Sequence, residues 1–482
     1  MISPKHISRR DFLADVTSLA AATAWAPRHA LAQNSFVSKR PAPASRRFRS
    51  KAVDAAIESI AARMRDPELA WLFSNCLPNT LDTTVTFASN ASGPDTIVVT
   101  GDIPAMWLRD SSAQVWPYLP FIADDPALAR LIEGVIRRQT RCILADPYAN
   151  AFMPDLASRE PLSWSKSDKT EMKPGVGERK WEVDSLCYPV RLAHEYWRIT
   201  HDPQPFDAQW ARAMHLIVET FTAQQRKTSR GPYSFQRQAF APTDTLGGDG
   251  YGNPARPIGL IHSGFRPSDD ACVYPFNVSG NFFAVETLHR IEEMLTEIAH
   301  DAAAANQASR LRSEIQAALD THARAHHPTA GEIWAYEIDG FGNAICMDDA
   351  NVPSLLAMPY LGSCSASDPR YLATRRFVLS EANPYFFRGS AAEGIGGPHI
   401  GQDMIWPMSI TMRALTTDDE NEQLRCLAWL KATHAGTGFM HESFNKNDPA
   451  RFTREWFAWA NTLFGELILR LDKTNPKLLE KA

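Results

Sequence analysis

The chain has 482 residues, 44% of them hydrophobic, and a formal net charge of −5. A mildly acidic balance with no basic run argues against nucleic acid and anionic membranes as partners. Length alone suggests two or three domains, yet no linker-like break interrupts the chain after its first 50 residues.

Ser8-Arg9-Arg10-Asp11-Phe12-Leu13 precedes a weakly apolar run, Val16 to Ala26, and then Ala30-Leu31-Ala32. A charged start, a short apolar centre and an A-x-A site predict a cleaved export signal over 1–32. The paired arginines followed by Phe-Leu point to the twin-arginine route and a periplasmic or secreted protein. The run is too short and too rich in Ala and Thr for a transmembrane anchor, which needs about 20 apolar residues. The bland alternative is a frayed amphipathic N-terminus. Lys5, Arg9, Arg10 and Arg28 against Asp11 and Asp15 give this leader +2, leaving −7 for the remainder. Residues 33–49, with their Pro-rich stretch at 41–46, read as a tether.

The seven cysteines are scattered, with no C-x-x-C, and their odd number leaves at least one unpaired. Buried free thiols are the expectation. No His/Cys/carboxylate group stands at metal-ligand spacing, so neither metal nor cofactor is expected.

From residue 50 onward, apolar spacing of 3.6 residues predicts roughly twelve helices. They fall near 52–66, 111–123, 126–143, 182–200, 204–225, 276–298, 300–326, 350–361, 368–380, 402–416, 419–434 and 456–471. Two interruptions read as β-hairpins: 83–100, and 331–348 with Asp339-Gly340-Phe341-Gly342 at its turn. The fold class expected is all-α, a single (α/α)6 barrel or toroid over 50–482 with small β-hairpin insertions. Two bundles are an alternative. An α-solenoid is disfavoured, because no repeat of about 33–47 residues is visible.

Polar and aromatic residues crowd five loop–helix junctions. The richest is Gly101-Asp-Ile-Pro-Ala-Met-Trp-Leu-Arg-Asp-Ser-Ser112, which brings Asp102, Trp107, Arg109 and Asp110 to one helix start. Free backbone N–H groups make such ends common binding sites. The others are Trp181-Glu182-Val183-Asp184-Ser185, Gly264-Phe-Arg-Pro-Ser-Asp-Asp-Ala-Cys272, Glu393-Gly-Ile-Gly-Gly-Pro-His399 leading to Trp406, and His441-Glu442-Ser443-Phe444 followed by Trp456 to Asn461. Taken singly, Asp110 with Ser111, or Asp269 with Asp270, could simply cap helices. Trp456 and Trp459, three apart, read as core before sugar platform. Gly247-Gly-Asp-Gly-Tyr-Gly252 follows no strand and is discarded as a nucleotide loop. No G-x-S-x-G elbow occurs. The sequons at Asn90 and Asn277 carry little weight beside this export signal.

Capping does not explain five such clusters. Carboxylates accept paired hydroxyls and aromatic faces cover sugar rings, so the clusters together read as one carbohydrate pocket. Glycoside hydrolysis needs two carboxyl groups, one carrying a proton for the leaving oxygen and one acting on the other side of the sugar.

The motifs T-G-D-I-P-A-M-W-L-R-D-S, E-V-D-S-L-C-Y-P, F-R-P-S-D-D, G-I-G-G-P-H and H-E-S-F…W-F-A-W-A-N-x-L-F-G-E-L resemble glycoside hydrolase family 125, from about residue 50 to the C-terminus. The resemblance implies an (α/α)6 barrel and exo-acting α-mannosidase activity, chiefly on α-1,6-linked mannose. It also implies inversion without a metal ion, by an aspartate acid and a glutamate base. The acid falls at Asp269 or Asp270; adjacent loop residues point in different directions, so one enters the pocket while the other caps or orients, and Asp269 is favoured. The base is Glu442. Inversion calls for carboxyls about 6.5–9.5 Å apart. Asp102, Trp107, Arg109, Asp110, Asp184, Arg266, His399 and His441 are the expected substrate-binding residues, and α-mannosides the expected partners. Rivals are a calcium-dependent α-1,2-mannosidase, a glucoamylase-like hydrolase, or a non-catalytic glycan-binding protein.

Overall fold

The structure, a computed structural model, describes residues 36–91, 93–239 and 241–481. The export signal expected over 1–32 lies outside them. No helix among the described residues is long and apolar enough to cross a membrane.

Helices dominate, and seven of the longer ones that lie away from the pocket begin on side-chain caps. Ser50 caps Lys51–Ala61, Asp66 caps Pro67–Cys76, Asp125 caps Pro126–Ala145 and Asp207 caps Ala208–Gln224. Asp301, Asp368 and Asp419 do the same for Ala302–His322, Pro369–Val378 and Glu420–Ala432. Each cap oxygen satisfies backbone N–H groups that a helix start leaves unpaired. Among the described residues, four helices of eight or more residues instead start without a side-chain cap, on Trp107, Glu182, Trp406 and Phe457: Leu108–Val115, Val183–Thr200, Pro407–Leu415 and Ala458–Thr474. Three of those four lead-in residues, Trp107, Trp406 and Phe457, line one cavity.

The uncapped helices are neighbours. Pro407–Leu415 packs on Ala458–Thr474, which packs on Leu108–Val115, and that on Val183–Thr200, which packs on Val278–Glu297. Their shared core holds Tyr188, edge-on to Phe283 at 5.2 Å and to Trp459 at 6.0 Å.

The small sheets outnumber the two hairpins expected. Three of them feed a strand straight into a helix. Met106–Trp107 pairs with Ala151–Phe152, which pairs with Val176–Glu178. Phe276–Asn277 pairs with Glu337–Ile338. Met404–Ile405 pairs with Ser443–Asn445, and that with Phe452–Thr453. The hairpin expected over 83–100 forms, as Val85–Asn90 against Gly93–Val98.

Several boundaries differ from the sequence expectation. The helix expected over 350–361 is reduced to Met358–Leu361. Ahead of it, Asp348 accepts the Leu355 and Leu356 N–H groups at 2.8 and 2.9 Å, so the side chain takes bonds a helix would use. The helix expected from 402 starts at Pro407, because Met404–Ile405 is paired in a sheet. The 331–348 hairpin is two structures. Gly331–Trp334 pairs backward with Arg324–His327, ending the previous helix at His322, while Glu337–Ile338 pairs with Ala344–Ile345 across the expected turn. Pro67–Cys76 is a helix the apolar spacing did not show.

Residues 36–49 lie against the domain. Lys39 N–H donates to Asn75 Oδ1 at 2.9 Å, and Arg40 pairs with Asp82 at 2.7 Å and Asp54 at 2.9 Å. All seven cysteines are free, five of them buried and Cys346 and Cys364 half-buried. Burial pushes the Cys142 thiol up to about 12, which keeps it protonated and inert.

Candidate active site

Four of the five junctions meet in one cavity. Trp107, Arg109 and Asp110 enter from the first junction, Asp269 from the third, His399 and Trp406 from the fourth, and Glu442 from the last. Aromatic rings contribute to the lining. Phe457 stands edge-on to Trp406 at 6.1 Å and 6.4 Å from Trp459. Trp459 is both core and lining, whereas Trp456 points away and donates to Asn79 Oδ1 at 3.3 Å.

Arg109 organises the acids. Its Nη1 lies 2.6 Å from Glu182 and 3.0 Å from Asp184, its Nη2 3.5 Å from Asp269, and its Nε 3.6 Å from Asp110. One guanidinium therefore faces four carboxyl groups, all at least nine-tenths buried. Burial disfavours charge on Arg109, but the four acids outweigh it and hold the guanidinium charged. For the acids, burial is the largest effect and raises all three of Glu182, Asp184 and Asp110 above the usual carboxylate range, against the pull of Arg109. For Glu182 the nearby Asp269 and Asp184 add to burial. Four buried negative charges on one cation are too costly to coexist, so the cluster retains protons.

Asp269 sits at the tip of a tight loop. Its N–H donates to Arg266 O at 2.9 Å, and Arg266 N–H donates to Asp270 O at 2.7 Å. Asp269 has φ +66°, a left-handed conformation uncommon for a residue with a Cβ. Such strain persists only where surroundings enforce it. Here Lys180 Nζ donates to the Asp269 carbonyl at 2.7 Å, and Asn150 Nδ2 to its Oδ1 at 3.4 Å. The turn sends Asp269 into the cavity, while Asp270 turns aside to Ser268 Oγ at 3.3 Å and His399 Nδ1 at 3.5 Å.

Glu442 precedes the strand Ser443–Asn445 and is 5% exposed. Thr453 Oγ1 donates to its Oε2 at 3.1 Å and Arg454 Nη1 to its Oε1 at 3.3 Å. Arg454 is in turn held by Asp102, at 2.5 Å from Nη2 and 3.0 Å from Nε. The loop carrying Asp102 is laced to the 456–458 segment: Ala458 N–H donates to Thr100 O at 3.2 Å. Gly101 permits that approach, since a Cβ there would meet Trp456 O at 2.4 Å.

Five expected site residues lie outside the lining. Asp102 acts on Arg454 from the more exposed side. Asp184 stands behind Arg109, and Asp270 behind His399. Arg266 makes a buried two-pronged pair with Glu337, 2.6 and 3.0 Å, that anchors the Asp269 loop. His441 stacks on Phe452 at 3.8 Å, almost parallel, and burial lowers its pKa to about 4. Residues the sequence reading did not nominate are Glu182, Asn150, Asn351 and Arg454. Glu182 stood in a quoted motif, and an acid immediately before an apolar helix was the available signal. Asn150, Asn351 and Arg454 had none.

Among the described residues no group of three His, Cys, Asp or Glu could hold a metal ion. The family model for metal-independent α-mannosidases, glycoside hydrolase family 125, matches residues 66–469. The chain belongs to this family. A Schizosaccharomyces pombe relative, meiotically up-regulated gene 157 protein, is 43% identical over 460 residues, spanning 92% of this chain and 90% of its own. A solved Streptococcus pneumoniae metal-independent α-mannosidase, in a non-productive complex with α-1,6-mannobiose, is 41% identical with a TM-score of 0.85; the match covers 89% of this chain and 100% of that one. As a family 125 protein the chain is a glycosidase that acts on mannose-containing glycans.

Proposed function

We propose that this family 125 protein is an exo-acting, inverting α-mannosidase that removes terminal, chiefly α-1,6-linked, mannose, with Asp269 as acid and Glu442 as base. The carrying observation is that these two carboxyls, remote in sequence, line a single cavity. Their surroundings differ. Glu442 receives a guanidinium and a hydroxyl, which fix its orientation. Asp269 belongs to a cluster with more carboxyls than cations, where protons are retained.

In the proposed reaction Asp269 protonates the glycosidic oxygen as the bond to the anomeric carbon breaks. Glu442 takes a proton from a water attacking that carbon, whose configuration inverts. Arg109, Asp110 and His399 present polar atoms to the hydroxyls, and Trp107, Trp406 and Phe457 apolar faces to the ring. A cavity lined by acids, a guanidinium and aromatic rings suits the end of a saccharide. The linkage preference draws on the α-1,6-mannobiose complex of the Streptococcus pneumoniae relative. The same reading includes an (α/α)6 barrel with the cavity on its axis, and export by the twin-arginine route.

Glu442→Gln tests the assignment. The amide keeps the shape but takes no proton, so kcat on α-1,6-mannobiose is expected to fall at least about 10²-fold, with the thermal midpoint and mannobiose affinity retained. Near-native turnover would remove Glu442 from the mechanism.

A further inference from the structure

An acid that protonates a leaving group has to reach the substrate with its proton on. Arg109, 3.5 Å from Asp269, works against this, because a cation favours the charged form of a neighbouring carboxyl. Glu182 stands where it can oppose that effect. It is fully buried, and Asp269 beside it adds to burial in raising it above its usual range. Two buried carboxyls side by side can share a hydrogen bond only with one proton between them. The two are also held by common partners. Arg109 reaches Glu182 Oε2 at 2.6 Å, and Asn150 Nδ2 lies 3.4 Å from both Glu182 Oε1 and Asp269 Oδ1. Ser185 Oγ completes the set, donating to Glu182 Oε2 at 2.9 Å.

We infer that Glu182 is the positioning residue for the acid, holding one proton jointly with Asp269 so that Asp269 meets the glycosidic oxygen protonated. The inference rests on the proposed function. The jointly held proton settles on Asp269 and passes from it to the leaving oxygen, which leaves the pair without a proton. The water that attacks the sugar leaves its proton on Glu442. Solvent then takes that proton from Glu442 and returns one to the Glu182–Asp269 pair, so each turnover consumes one water and no net proton.

The charged groups around the pair come from several elements. Arg109 and Asp110 face it from the Leu108–Val115 helix, and Asp184 from the helix that Glu182 begins. Glu178 approaches through Asn150, but it is tied to Arg237, which also pairs with Asp168 and Asp244. Lys180 is bound to Asp244 and to the Asp269 carbonyl. Arg266 is neutralised by Glu337, and the buried Cys272 thiol and Tyr233 hydroxyl stay protonated. Toward the cavity stand the His399–Asp270 and Arg454–Glu442 pairs. Among the described residues Arg109 is thus the one cation in direct contact with Glu182, and acids outnumber it.

The test is the pH profile of kcat/KM on α-1,6-mannobiose. Glu182→Gln keeps the volume but removes the second carboxyl, so the remaining one loses its proton at lower pH. The alkaline limb is expected to move down by about one pH unit. Ser185→Ala removes a donor to the charged form, and should move the same limb up by a few tenths of a unit; it serves alone if Glu182→Gln fails to fold. A uniform loss of rate with the limb unmoved in both variants would mean that Glu182 only supports Arg109, and overturns the inference. Asp269→Asn separates this from failure of the parent reading. If that variant hydrolyses mannobiose at the native rate, Asp269 is not the acid and both fall. If it is inactive while the limb stays put in the other variants, the inference alone falls.

Discussion

Arg454 Nη1 lies 3.3 Å from Glu442 Oε1, and the same guanidinium is gripped by Asp102 at 2.5 Å. The more exposed acid thus fixes the cation that fixes the buried one. Arg454 has φ +42°, so its backbone is strained as well. Arg454→Ala should lower kcat/KM on mannobiose by about 10–100-fold through loss of orientation, with Arg454→Lys intermediate because an ammonium cannot reproduce the forked contact. Asp102→Asn should cost less, and a double-mutant cycle should show the two losses are not additive.

The two adjacent aspartates should separate by leaving group. Asp269→Asn is expected to nearly silence α-1,6-mannobiose hydrolysis yet spare more of the rate on dinitrophenyl mannoside, which needs little protonation. Asp270→Asn, acting through His399, should lower both substrates together. Steady-state rates of both variants on both substrates make the comparison. The reverse pattern would assign the acid role to Asp270.

Arg266 and Glu337 are 3% and 0% exposed. Arg266→Ala would leave an unpaired buried carboxylate and should cost about 3–5 kcal/mol of stability, read as a lower thermal midpoint. An unchanged midpoint would mean the pair does not anchor the Asp269 loop.

His441 supplies a pH dependence of stability. Burial lowers its pKa from 6.5 to about 4 in the folded chain. The unfolded chain therefore binds the proton more readily between these values. Stability from this group is intact above about pH 6.5 and is lost as pH falls toward about 4, by up to about 3 kcal/mol. Denaturant unfolding across that window should be flatter for His441→Phe than for the native chain.

Much of the site was legible because its residues stand at helix starts. Arg109 and Asp110 follow a Gly- and Pro-bearing turn, and Glu442 lies in a compact polar–aromatic run. What the sequence hid depends on tertiary contact. Asn150 and Arg454 are isolated in the chain, and the 106–107/151–152 and 443–445/452–453 pairings help bring them to Glu182 and Glu442. Asp102, Arg266 and His441 look like contact residues by type, but partners elsewhere in the fold claim them. The helix expected over 350–361 fails for a similar reason: Asp348 takes the N–H bonds that apolar spacing assigns to a helix. The missed Pro67–Cys76 helix was readable, since Asp66-Pro67-Glu68 is a cap, a first-turn proline and a first-turn acid.

Chelation should be without effect. Activity on mannobiose is expected to be unchanged in EDTA and after dialysis, since acid and base are supplied by side chains. Restoration of a lost activity by calcium would contradict this.

The central claim is direct displacement at the anomeric carbon by water under Asp269 and Glu442. Proton NMR of α-1,6-mannobiose hydrolysis, recorded before the product mutarotates, tests it most directly. The account predicts that the mannose released from the non-reducing end appears first as the β-anomer. First appearance of the α-anomer would contradict it.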